Sequence, residues 1–74
     1  MDSRQLEAIK LKIADIKAEV NAEDKKELVA NGICSMGTID TYVTKGDAKD
    51  FTLANKIYKF LNKRVEYRFK QLNK

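Results

Sequence analysis

The sequence predicts an all-α protein. Proline is absent, and only three glycines occur in 74 residues, so few positions break a helix. Apolar residues recur at helical spacing near both ends of the chain, which marks two amphipathic helices. Between them stand two helix-stopping points, Asn31-Gly32 and Gly46, where glycine can take the left-handed conformation that ends a helix. The expected architecture is a small helical domain with a tri-helical core and a long basic C-terminal helix, all within residues 1–74.

The first helix is set by Leu6, Ile9, Ile13, Ile16 and Val20, whose spacing of three and four makes a heptad stripe. Charged residues fill most other positions, and Leu11 is the large apolar residue off the stripe. A core-facing helix is the preferred reading, and a dimer seam is the alternative. Asn21 to Asp24 reads as a variant capping box, with Glu23 and Asp24 at the positive end of the next helix dipole. That helix runs from about Ala22 to Asn31, with Leu28 and Val29 inward.

Ile33 then drops into the core. Ser35 caps a third helix that runs to Lys45, with Gly37 in its first turn. Ile39, Tyr42 and Val43 share one face by i, i+3, i+4 spacing. Gly46 to Asp50 is a short polar loop. Asp50 or Thr52 caps the last helix, which reaches about Leu72. Its stripe is Leu53, Ile57, Phe60, Leu61 and Val65, and Ala54 allows close approach. Tyr67, Phe69 and Leu72 lie beyond the stripe and face different directions.

Composition bounds the function. A chain this short holds one core that supplies only about 3–5 kcal/mol, and self-association is a common remedy. Hydrophobic content is 43% and charged content 35%, as in a globular protein. One cysteine and no histidine exclude an internal disulfide and leave zinc almost no ligands. This usage suits a reducing compartment. No apolar run nears the roughly 18–20 residues that span a bilayer, and the first residues lack the apolar core of a signal peptide. A cytoplasmic protein with no membrane contact is expected. There is no histidine, phosphate-binding glycine loop or nucleophile beside a base, so neither an enzyme nor a cofactor is expected. Asp47 and Asp50 lack the alternating ligands of a calcium loop. Cys34 reads as an inert turn residue.

The net charge of +4 is uneven. Residues 54–74 carry seven Lys or Arg against Glu66 alone, while the remainder holds eight bases and ten acids. A basic segment on a near-neutral body suits an acidic partner such as nucleic acid. From Lys63 to Lys70 the bases interleave with Tyr67 and Phe69. That pattern can bind single strands, or cover a partner surface along the lysine and arginine stems. The partner or self-association reading is preferred.

Residues 22–46 form a helix, a glycine turn and a short helix containing Thr38-Ile39-Asp40-Thr41-Tyr42-Val43. Gly32 and Ile33 supply a turn glycine and the apolar residue after it. This resembles the helix-turn-helix of small phage and bacterial DNA-binding proteins, and the likeness extends over about residues 22–62 through "LANKIYKFL". It departs from the pattern in three places. The span from Gly32 to Ile39 is one residue longer, Leu28 stands where a small residue is usual, and the reading helix has no arginine.

The resemblance implies a small phage or mobile-element transcriptional regulator that binds double-stranded DNA, with homodimers expected. With Ile39, Tyr42 and Val43 inward, the opposite face presents Gly37, Asp40, Thr41 and Thr44, flanked by Thr38 and Lys45. Small hydroxyl side chains can reach phosphates or base edges. Ser35 and Gly37 lie at the helix start, where free N–H groups face a phosphate. Lys25 and Lys26 begin the preceding helix, and Lys49 follows the third. These ten residues are the expected DNA-binding set. Lys56, Lys59, Lys63 and Arg64 join it only if the last helix turns that edge to the duplex. The alternative is a non-enzymatic structural or adaptor protein that uses the same fold for protein contacts, with the basic C-terminal helix as the candidate surface.

Overall fold

The structure is a computed structural model that describes residues 3–72. Four helices follow in order: α1 (Ser3–Lys17), α2 (Ala22–Ala30), α3 (Met36–Ile39) and α4 (Phe51–Leu72). A single π-helical turn, Asp40–Thr44, extends α3. No strand occurs among the described residues, so the all-α expectation holds. Among those residues, no helix is long and apolar enough to cross a membrane.

The spine is α4. Its 22 residues span about 33 Å at 1.5 Å per residue, most of the molecule's 40 Å long axis. Ala54, Ile57, Leu61 and Val65 bury the face that the stripe predicts. Against it lie Ile9 and Ile13 of α1, both buried, with Leu6 and Ile16 partly covered. The first helix is therefore a core helix, and its stripe points into this chain. Val20 packs on the core from beyond the end of α1.

Leu28 fixes α2 to the core at 0% exposure, whereas Val29 is 40% exposed. The expectation that Val29 faces inward is thus corrected. It stands about 100° around the helix from Leu28, on the side facing away from the core. Ile39, Tyr42 and Val43 are all buried as expected. The Gly46–Asp50 loop is less polar than its sequence suggests, because Ala48 is 1% exposed. Gly46, at φ +69°, reverses the chain and turns Ala48 onto the core.

The end signals act as read. Asn21 Oδ1 accepts the Asp24 N–H at 2.9 Å, and Asp24 Oδ2 accepts the Asn21 N–H at 3.0 Å. Together they complete a capping box. Gly32, at φ +71°, ends α2. Ser35 caps α3, and Asp50, not Thr52, caps α4 by accepting the Leu53 N–H at 2.9 Å. The buried Tyr42 hydroxyl accepts the Asp50 N–H at 3.1 Å, so α3 and the start of α4 are tied together.

Candidate nucleic-acid interface

The unit from Ala22 to Lys45 places α2, a five-residue turn and α3 in sequence. Burial of Ile39, Tyr42 and Val43 leaves Gly37, Asp40 and Thr44 exposed, with Thr38 and Thr41 half-covered. The outward face named from the sequence is therefore the outward face of the structure. Its hydroxyls, however, are largely engaged within the helix. Ser35 Oγ lies 3.1 Å from Thr38 Oγ1 and accepts the Thr38 N–H at 3.3 Å. Thr41 Oγ1 donates to the Gly37 carbonyl at 3.1 Å. That bond competes with the backbone ladder, and the helix widens at this point. Lys45 N–H reaches the Asp40 carbonyl at 2.8 Å, five residues back. Gly37 has open space around it, with Ser35 Oγ the only atom near a would-be Cβ, at 3.9 Å.

Lysines gather where α3 ends. Lys17 Nζ donates to the Thr44 carbonyl at 2.5 Å, and Lys25 Nζ to Thr44 Oγ1 at 3.4 Å. Cations suit the carbonyl end of a helix. Lys45 Nζ pairs with Asp40 at 3.8 Å, and Lys49 Nζ with Asp47 at 2.9 Å. The hydrogen bond from Lys49 holds the Asp47 carboxyl below its ordinary range, helped by the charges of Lys49, Lys10 and Lys45. Lys10, Lys17, Lys25, Lys45 and Lys49 thus surround Thr44 and Asp47. Lys26 is exposed on α2. Comparisons with protein-family models, curated proteins and solved structures give no match.

Two of these lysines were not legible as part of the face. Lys10 and Lys17 read as solvated charges of α1, and only tertiary packing brings them 27 or more residues along the chain to Thr44 and Asp47. The reverse correction applies to Arg64. It is not available as the phosphate contact considered from sequence, because its Nε donates to Asp24 Oδ1 at 2.6 Å. Arg68 Nη1 reaches the same oxygen at 2.8 Å, and its Nη2 bonds the Glu19 carbonyl.

Asp24 is the one buried charged residue among those described, at 0% exposure. Burial alone would raise its pKa. The hydrogen bonds from Arg68, Arg64 and the Asn21 amide outweigh that effect and hold the carboxyl below its usual range. The net charge of α4 available to a ligand is correspondingly smaller than its sequence implies. Cys34 is half-buried, and burial raises its thiol pKa, which opposes thiolate chemistry. Among the described residues, no three of His, Cys, Asp or Glu come together as a metal site requires.

Proposed function

We propose that this protein binds double-stranded DNA through a helix-turn-helix unit, residues 22–46, and acts as a small transcriptional regulator of phage or mobile-element type. The observation that carries this reading is the exposed, small-residue face of α3, whose far end is ringed by Lys17, Lys25, Lys45 and Lys49. Small side chains let a helix lie close to a groove, and lysines on its flank neutralise phosphates. Ser35, Gly37, Thr38, Thr41 and Thr44 contact the groove or its edges. Asp40 accepts from a cytosine amine or turns to Lys45. Lys26 adds a phosphate contact from α2. With no arginine on the face, the bidentate guanine contact is lacking, so one copy reads sequence weakly. A homodimer doubles the contact set.

The test is a titration into labelled mixed-sequence duplex at two salt concentrations. With four or five phosphate contacts, affinity falls roughly 100- to 500-fold between about 50 and 200 mM salt. Lys25→Ala and Lys45→Ala each reduce the log–log slope by about one. Thr41→Ala weakens binding, while Lys70→Ala leaves it nearly unchanged. Absence of binding at low salt, or a loss confined to α4 variants, overturns the proposal.

A second reading has its own support. Tyr67, Phe69 and Leu72 are 64%, 47% and 77% exposed on different sides of the last turns of α4, so apolar area is left uncovered there. We read α4 as a helix that also meets a protein partner.

A further inference from the structure

An open groove of about 550 Å³ runs along the outer side of α4, bounded at one end by Ile33 of the turn after α2. Ile33 and Phe60 lie on one flank of the lysine ridge Lys56, Lys59 and Lys63, and Tyr58 and Asn62 complete the lining on the other. No acid lines it among the described residues. Glu66, the lone acid of α4, lies outside the groove and accepts a hydrogen bond from Asn62 at 3.1 Å. Apolar side chains beside a ridge of one sign are a recognition pattern in themselves. They accept apolar anchors and select for the opposite charge beside them.

We propose that this groove docks an acidic amphipathic helix of a partner protein, its apolar residues over Ile33 and Phe60 and its carboxylates on the three lysines. The proposal deepens, and rests on, the reading of α4 as a partner-facing helix. Helix-in-groove recognition supplies the geometry, with anchors at i, i+3, i+4 and i+7.

Two observations favour a peptide over nucleic acid here. One face of each aromatic ring is already taken by a cation. Lys12 Nζ lies 5.8 Å from the Tyr58 ring centroid, and Arg64 Cζ 6.0 Å from that of Phe60. Each ring therefore offers a base one face at most, where stacking platforms present several open ones. Both nearby arginines are held by Asp24, which removes the forked donors that suit phosphate. The adjoining groove, of about 500 Å³, mixes Glu23 with those same arginines and lacks the single sign.

The test uses a synthetic, fluorescein-labelled helical peptide with leucines at i, i+3, i+4 and i+7 and glutamates on both flanks. Anisotropy gives affinity, and amide chemical shifts of the labelled protein give location. Binding should shift Ile33 and the Lys56–Lys63 stretch. The double variant K59E/K63E, altered only at exposed positions, should keep its helical circular dichroism and bind roughly tenfold or more weakly. A peptide with lysine flanks should then recover affinity for that variant. The proposal is overturned if the peptide fails to bind, if a scrambled peptide of equal composition binds as tightly, or if the shifts centre on Phe69 and Leu72. Tighter binding of a single-stranded oligothymidine at the same residues also overturns it. Thr41→Ala and Lys45→Ala affect duplex binding and leave peptide affinity intact, so failure of this proposal is separable from failure of the DNA reading.

Discussion

Asp24→Ala is expected to destabilise the protein by about 3–5 kcal/mol, the range for removing one partner of a buried ion pair. The mutation strands two guanidinium groups that converge on one oxygen and deletes half of the α2 capping box. Arg64 and Arg68 keep 34% side-chain exposure, so water relieves part of the cost and the lower end of the range applies. One core of this size supplies only about 3–5 kcal/mol. The variant therefore sits near its folding threshold. Urea denaturation followed by circular dichroism measures this directly. An unchanged midpoint would refute the role given to Asp24.

The same residue sets an acid limit. Its folded pKa lies below the ordinary value, so its contribution is fully present above the unfolded pKa of about 3.9. It is lost as pH falls through the lower folded value. Asp24→Asn, which cannot ionise, removes this contribution at neutral pH. Its stability should therefore approach that of the wild type as pH drops below about 4. A constant gap between the two down to pH 2 would contradict the assignment.

The second large effect belongs to the spine. Ile57→Ala should cost about 2–5 kcal/mol, because Ile57 is fully buried in a core contributed by all four helices and the Ala48 loop. Leu11→Ala removes a side chain of similar size that is 68% exposed and should stay within about 0.5 kcal/mol. Comparable losses at both positions would mean that Leu11 is covered in solution, as a dimer seam on the outer face of α1 would require.

The fold was legible because its local signals agree. The Asn21–Asp24 box, the two left-handed glycines, the Asp50 cap and the stripe of α4 each depend on residues close in sequence. The π-helical turn was not legible. It is marked by the Lys45 N–H reaching the Asp40 carbonyl, and nothing in the spacing of Ile39, Tyr42 and Val43 distinguishes it from an ordinary helix end. Ala48 carries no pattern of its own, since one small residue in a polar loop can lie on either side. The face of α3 could be read from periodicity. Its lysine ring could not, because Lys10 and Lys17 come from another helix. Arg64 and Arg68 looked free for a ligand because their partner, Asp24, already had a complete local role as a cap residue.

That double role of Asp24 has a kinetic consequence. Its capping bonds span three residues, while its ties to Arg64 and Arg68 span 40 and 44. The short bonds form as soon as α2 does. The long ones close only after the intervening chain has surrendered its loop entropy. The arginine ties therefore act mainly as a brake on departure. Arg64→Leu and Arg68→Leu should quicken unfolding while leaving the folding rate nearly unchanged, and stopped-flow measurements in urea would show the unfolding limb raised with the folding limb in place.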